Sequence, residues 1–166
     1  ADRESKEALL IDPVQETVER DLQLLSELGL NLLYILETHV HADHITGADS
    51  LRSRTGGKTG ISRLAAVPCA DLLLKDGQIL SFGRFQLKVL ETPGHTPCSL
   101  SFYCQGRLMT GDTLLIRGTG RTDFQKGSAE ALFQSVRQSL FTLPPETLVY
   151  PAHDYKGHTV SSIGEE

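Results

Sequence analysis

Short apolar runs alternate with a segment of helical periodicity in the first part of the chain. Residues 8–11 form an apolar run that predicts a buried strand, and Asp12-Pro13 ends it. The apolar residues that follow recur on one helical face; they are Val14, Val18, Leu22 and Leu25. Gly29 is a typical residue at a helix C-terminus, and residues 32–36 predict a second strand. The order predicted so far is strand, helix, strand.

The rest of the chain continues this alternation. Further strands are predicted at residues 85–90, 100–104, 108–110 and 147–150. Ser128 can cap a last helix, whose apolar face carries Leu132, Val136 and Leu140. The segment 52–60 is rich in Gly, Thr and Arg, and we interpret it as a surface loop. Strands that alternate with helices predict a layered α/β fold.

Composition limits the classes of protein to which the chain can belong. A length of 166 residues with 39% hydrophobic residues predicts one domain over residues 1–166. The formal net charge of -5 argues against nucleic acid and membrane surfaces as partners, and no apolar run approaches the roughly 20 residues of a membrane span. Cys69, Cys98 and Cys104 lack the CxxC spacing of a metal or redox site, so we expect reduced thiols.

Three imidazoles and one carboxylate lie within six positions directly after the second predicted strand, in Thr-His-Val-His-Ala-Asp-His. In an extended segment His39 and His41 point the same way, and a turn can bring Asp43 and His44 toward an adjacent position. Imidazole and carboxylate groups at this spacing favour a site for one or two metal ions. A solvated polar loop is the alternative interpretation.

Three more potential ligands lie at predicted strand ends, each beside Gly or Pro. They are His95 in Thr-Pro-Gly-His-Thr, Asp112 in Thr-Gly-Asp-Thr and His153 in Pro-Ala-His-Asp. Gly and Pro make accessible the sharp turns by which a ligand leaves a sheet. Each motif alone is weak, but together with the histidine cluster they predict one metal site.

These motifs, in this order, resemble those of the metallo-β-lactamase superfamily over nearly the whole chain. The resemblance implies an αββα sandwich with a metal site at one edge. It implies as possible ligands His39, His41, Asp43, His44, His95, Asp112 and His153. Such a sandwich usually has more than one strand before its first helix, so terminal segments of the domain are expected to be missing.

Residues 114–125, and above all Arg-Thr-Asp-Phe at 121–124, are similar to the persulfide dioxygenases of this superfamily. That resemblance implies a single Fe²⁺ held by His39, His95 and Asp112. A two-histidine, one-carboxylate set leaves open positions on iron, where a persulfide and O₂ can bind. The expected reaction is oxidation of glutathione persulfide to sulfite and glutathione.

In this interpretation the other potential ligands surround the iron and hold waters; they are His41, Asp43, His44 and His153. A second metal ion on the same residues stays open. Glutathione has two carboxylates and an amine, which Arg121 and Asp123 suit, and Tyr155 could donate from its hydroxyl. An ion pair within the loop is the alternative for Arg121 and Asp123.

The alternative function is a glyoxalase II-like hydrolase, in which two Zn²⁺ ions act on an S-acyl glutathione thioester. The family often forms homodimers, which we expect here as well. The expected compartment is the cytoplasm of a bacterium or the mitochondrial matrix. No further partner is implied.

Overall fold

Two β-sheets form the centre of the protein in a computed structural model that describes residues 1–166. The first sheet has four parallel strands in the order of the chain: β1 (Glu7–Ile11), β2 (Asn31–Leu36), β3 (Lys58–Ser62) and β4 (Leu72–Leu74). The second sheet has six strands: β5 (Ile79–Phe82), β6 (Phe85–Glu91), β7 (Leu100–Cys104), β8 (Arg107–Gly111), β9 (Leu148–Pro151) and β10 (Ser161–Ser162). Its spatial order is β10-β9-β8-β7-β6-β5, and only β8 and β9 pair in parallel.

Helices cover the outer face of each sheet. They are α1 (Val18–Leu28), α2 (Ala48–Thr55) and α3 (Ala129–Ser135), which continues as a π-helical turn over Val136–Leu140. Short 3₁₀ turns span Gln15–Thr17 and Arg63–Ala65. The Ser128 hydroxyl accepts a hydrogen bond from the Ala131 N–H, as the predicted cap requires.

Three apolar clusters separate the four layers. The cluster between the sheets contains Leu36, Leu74, Leu80, Phe82, Leu87, Val89, Leu100 and Phe102. The cluster between the first sheet and its helices contains Ala8, Val18, Leu25, Leu32, Ile35, Ala48 and Leu51. The cluster beneath α3 contains Leu108, Leu114, Val136, Leu140, Val149 and Ile163. This layering confirms the predicted αββα sandwich.

Two predictions about local structure were wrong. Residues 52–60 are not a surface loop, because they contain the end of α2 and the start of β3, with Thr59 and Gly60 buried. Only Ala48 and Leu51 of α2 face the core, so its apolar periodicity is too weak to detect. Val14 lies outside the first helix, in extended backbone that bridges to Thr46.

The strand directions bring the ends of five strands to one edge of the sandwich. β1 and β2 are parallel, so the chain leaves both at the same edge of the first sheet. β6 and β8 are each antiparallel to β7, and β9 is parallel to β8, so β6, β8 and β9 also end together. Loops that follow these ends carry the polar residues described next.

Candidate metal centre

Three side chains from distant parts of the sequence meet at this edge. They are His39 after β2, His95 after β6 and Asp112 after β8, and their ligand atoms all lie within 4.8 Å of one another. The His95 Nε2 and Asp112 Oδ2 atoms are 3.6 Å apart, too far for a hydrogen bond. The ring centroids of His39 and His95 are 4.9 Å apart, with the rings perpendicular. The spacing matches three groups that share one ion.

The orientation of His39 is set by a short chain of hydrogen bonds that begins at Asp12. The Thr38 hydroxyl donates to Asp12 Oδ2 at 2.8 Å, so its oxygen accepts from His39 Nδ1 at 2.9 Å. Asp12 Oδ1 also accepts from the Thr38 N–H at 2.7 Å. Because Nδ1 carries the proton, Nε2 presents its lone pair to the cleft. Burial, together with the charge of the neighbouring His41, lowers the pKa of His39 to about 4, so the ring stays neutral.

His95 is oriented in the same way by a different partner. Its Nδ1 atom donates to the main-chain carbonyl of Arg121 at 2.8 Å. This leaves Nε2 facing Asp112, and neither Nε2 atom of the histidine pair makes a hydrogen bond within the protein. The Nε2 atoms of both imidazoles therefore face one carboxylate.

Asp112 reaches this position because Gly111 ends β8 with a φ of +53°, a left-handed conformation that favours glycine. A Cβ atom on Gly111 would lie 2.6 Å from Thr38 Oγ1, so the turn also packs directly against Thr38. The sequence expectation that glycine shapes these turns is confirmed at this position.

The second oxygen of Asp112 is bound by His153. His153 Nδ1 donates to Asp112 Oδ1 at 2.6 Å, and its Nε2 donates to Asp43 Oδ2 at 3.2 Å. Burial alone would lower the pKa of His153, but the two carboxylates raise it above the ordinary value. His153 thus bridges two carboxylates and holds Asp112 Oδ2 toward His39 and His95.

The His41 ring lies beside the His39 ring, and its Nε2 atom faces the carboxylates of Asp12 and Glu37. Its Nε2 atom lies 3.0 Å from Asp12 Oδ1 and 3.4 Å from Glu37 Oε2. Burial would lower the pKa of His41, but these two contacts raise it to about 10. Glu37 also accepts a hydrogen bond from the Thr46 hydroxyl. Asp12 therefore contacts both Thr38, which orients His39, and His41.

A second group of potential ligands lies beside the first. His41, Asp43 and His44 also offer ligand atoms within 4.8 Å of one another. His44 Nδ1 is 3.2 Å from Asp43 Oδ2, while its buried Nε2 has no hydrogen-bond partner. The geometry accommodates one ion at the first cluster and leaves donors for another at the second.

The donor set of the first cluster fits a divalent transition metal. Two imidazole nitrogens and one carboxylate oxygen converge, and each of the three side chains is fixed by a hydrogen bond to its other polar atom. Three protein ligands leave further coordination positions free for substrates. A set of three oxygens would instead favour Mg²⁺ or Ca²⁺.

A cleft of about 420 Å³ opens over this cluster, a size typical of small-molecule sites. The residues predicted to bind substrate, Arg121 and Tyr155, line it, while Asp123 does not. Arg121 donates two hydrogen bonds to Asp123, at 2.7 and 2.9 Å, and both side chains are exposed. Tyr155 is also exposed, with its ring stacked on His153 at 6.0 Å.

Sequence reasoning missed several residues that shape the site. Asp12 was interpreted only as the end of a strand, although an acidic residue at a parallel strand end was a usable signal. Thr38 and Glu37 were seen only as flanks of the histidine cluster. No signal in the sequence pointed to the main-chain carbonyl of Arg121 as the partner of His95.

Comparisons with known proteins place the chain in a family. Residues 3–153 match the model of the metallo-beta-lactamase superfamily. The chain is 56% identical over 168 residues to the human protein named "Persulfide dioxygenase ETHE1, mitochondrial", covering 99% of this chain and 66% of that protein. The crystal structure of ETHE1 from Myxococcus xanthus is 50% identical with a TM-score of 0.96, covering 99% of this chain and 73% of that one.

A more distant relative carries the alternative activity in its name. The chain is 38% identical over 138 residues to a hydroxyacylglutathione hydrolase of Cereibacter sphaeroides, covering 81% of this chain and 53% of that protein. The chain spans about two thirds of the length of the human relative. Its helices are all too short or too polar to cross a bilayer.

Proposed function

The chain belongs to the metallo-β-lactamase superfamily and, within it, to the ETHE1 family, and we propose that it is an iron-dependent persulfide dioxygenase. Glutathione persulfide and O₂ are the proposed substrates, and sulfite and glutathione are the products. The observation that carries the proposal is the convergence of His39, His95 and Asp112, in a chain 56% identical to a named persulfide dioxygenase.

The proposed cofactor is one Fe²⁺ per chain, held by His39 Nε2, His95 Nε2 and Asp112 Oδ2. When bound, iron would supply the redox chemistry that couples the reduction of O₂ to the oxidation of the outer persulfide sulfur. The reaction balances as one persulfide, one O₂ and one water giving one thiol, one sulfite and two protons. Two oxygen atoms of sulfite come from O₂ and the third from water.

The residues around the cluster have separate tasks in this proposal. The Asp12–Thr38 pair and the Arg121 carbonyl fix the two imidazoles with their Nε2 lone pairs toward the cleft. His153 holds Asp112 by its other oxygen, and its own proton stays between two carboxylates. The raised pKa values of His41 and His153 favour the charged forms of both rings, which offset part of the negative charge of nearby carboxylates, so an anionic persulfide can approach.

Glutathione recognition is assigned to the rim of the cleft. The Arg121 guanidinium can pair bidentately with a substrate carboxylate, and Asp123 can accept from the substrate amine. Their mutual ion pair is exposed at both partners, so exchanging it for a substrate contact costs little. Tyr155 lines the same cleft and is exposed, and its hydroxyl is proposed to donate to the substrate.

A thioester hydrolase is the second candidate function. The donor group of His41, Asp43 and His44 favours it, because a second ion there would complete a two-metal site. The hydroxyacylglutathione hydrolase relative is consistent with that chemistry, although its 38% identity is well below the 56% of the persulfide dioxygenase.

One experiment separates the two candidates. The protein is purified without oxygen, its iron and zinc are counted per chain, and O₂ uptake with glutathione persulfide is compared with hydrolysis of lactoylglutathione. About one iron per chain with persulfide-dependent O₂ uptake supports the dioxygenase. Two zinc ions with thioester cleavage and no O₂ uptake would reverse the assignment.

Compartment and assembly complete the proposal. The human relative is named as mitochondrial, so the mitochondrial matrix or a bacterial cytoplasm is the proposed location. A homodimer is the proposed assembly, and gel filtration at working concentration tests it.

A further inference from the structure

One short segment contacts all three parts of the chain that supply the metal cluster. We name residues 119–125 the recognition loop, because Arg121 and most of its neighbours line the cleft. The Gly120 N–H donates to the Asp112 carbonyl at 2.9 Å, and the Arg121 carbonyl accepts from His95 Nδ1 at 2.8 Å. At the far end of the loop, Gln125 Nε2 donates to the carbonyl of Val40, the residue after His39, at 2.9 Å. The loop is therefore supported at three points, one beside each ligand.

The contact between Gly120 and Asp112 leaves no room for a side chain at Gly120. A Cβ on Gly120 would lie 2.2 Å from the Asp112 carbonyl oxygen, and 3.0 Å from both Asp112 Cβ and His95 Nδ1. The backbone of the loop thus packs directly on two ligands. Gly118, two residues earlier and outside the recognition loop, has no atom within 4 Å of its Cβ position. The two glycines are close in the sequence, but only a side chain at Gly120 would meet other atoms.

The last support holds an uncommon backbone conformation in place. Gln125 and Lys126 have φ angles of +48° and +61°, a left-handed conformation that two successive non-glycine residues rarely adopt. Such a conformation persists only where surrounding contacts determine it. The Gln125 side chain makes such a contact with the main-chain carbonyl of Val40. This hydrogen bond therefore links the end of the recognition loop to the chain that carries His39.

We propose that Gly120 and Gln125 are positioning residues that join the recognition loop to the metal ligands, so that binding of the thiol's peptide part and binding of the metal strengthen each other. The inference rests on the proposed function for the identity of the thiol. Coupling of this kind is reciprocal, because each ligand favours the loop position that the other requires. Thiol binding and metal retention then share a single structural element.

The test measures metal affinity directly, without turnover. Competition with a chromogenic chelator gives the Zn²⁺ affinity of the protein with and without saturating S-methylglutathione, which keeps the two carboxylates and the amine of glutathione but has no free thiol to bind the metal. The wild-type protein should hold Zn²⁺ at least about fivefold more tightly with the probe, within the range usual for coupled sites. Calorimetry should show the same factor for the probe when Zn²⁺ is added.

Matched variants identify the residues responsible. G120A should weaken Zn²⁺ binding by about 10–100-fold, as changes next to metal ligands commonly do, while G118A should leave it unchanged. Q125L should retain Zn²⁺ binding without the probe within a few-fold and lose the coupling factor. The control Q134L changes an exposed glutamine of α3 that does not line the cleft, and it should keep the coupling factor of the wild type. Circular dichroism confirms that each variant is folded.

Three results would overturn the inference. The first is a wild-type Zn²⁺ affinity that does not change when S-methylglutathione binds, because the two sites would then not be coupled. The second is an unchanged coupling factor in Q125L, because Gln125 would then not be its cause. Absence of any S-methylglutathione binding would also overturn it, yet the proposed function would stand if persulfide-dependent O₂ uptake persisted. Conversely, coupling without O₂ uptake would overturn the proposed function alone.

Discussion

Asp12 is predicted to control both the metal affinity and the stability of the protein, although it is not one of the three clustered ligands. Its carboxylate accepts from the Thr38 N–H and hydroxyl at 2.7 and 2.8 Å and lies 3.0 Å from His41 Nε2. Asp12→Asn keeps the shape of the side chain but removes the charge and turns one acceptor into a donor. The donor faces the Thr38 hydroxyl or His41, where an acceptor is required.

The magnitude follows from these contacts. A buried hydrogen bond to a charged group is worth about 1.5–3 kcal/mol, and at least one such bond is lost. The metal-free variant should therefore unfold with a free energy lower by about 2 kcal/mol or more. Because the Thr38 hydroxyl no longer fixes His39 Nδ1, Zn²⁺ affinity should fall by about 10–100-fold, or about 1.4–2.7 kcal/mol.

Chelator competition and urea unfolding measure the two effects separately. Thr38→Val removes the hydroxyl but keeps the backbone N–H, so it should reproduce most of the loss of affinity with a smaller loss of stability. Asp49→Asn, at a carboxylate whose side chain is 81% exposed, is the control and should change neither. The reasoning is refuted if Asp12→Asn binds Zn²⁺ within about twofold of wild type.

The remaining predictions concern the core, the substrate and pH. Phe102→Ala, at a fully buried side chain between the sheets, should lower the free energy of unfolding by about 3–5 kcal/mol in urea titrations; a loss below about 1 kcal/mol would contradict the assigned core. Arg121→Ala should raise KM for glutathione persulfide with little change in Zn²⁺ affinity, and an equal effect on a persulfide lacking glutathione would argue against its role. In the metal-free protein, the raised pKa of His41 contributes stability that is complete below its ordinary pKa of about 6.5 and is lost as pH rises toward about 10. The stability difference between wild type and His41→Gln should therefore shrink across that pH window, and a constant difference would contradict it.

The sequence was sufficient for the features that depend on local residue patterns. The strands before His39 and Asp112 were predicted from apolar runs, and their ends located the polar residues of the cluster correctly. α2 was missed because a helix with only two buried residues lacks a clear period. β3, with the sequence Lys-Thr-Gly-Ile-Ser, was missed because glycine weakens a strand pattern.

Contacts between distant segments could not be predicted in the same way. The pairing of Asp12 with Thr38 depends on the register of β1 and β2, which the motifs do not determine. The contact of His95 with the Arg121 carbonyl involves a main-chain atom that every residue has, so residue type carries no signal. The orientation of ligands is thus a tertiary property, whereas their identity is visible in the sequence.

Anomalous X-ray diffraction at the iron edge, on crystals grown from protein that consumes O₂ with glutathione persulfide, tests the central claim most directly. The account predicts one iron peak per chain, within bonding distance of His39 Nε2, His95 Nε2 and Asp112 Oδ2, and no peak among His41, Asp43 and His44. A single peak at the latter group, or two zinc peaks in the active protein, would contradict it.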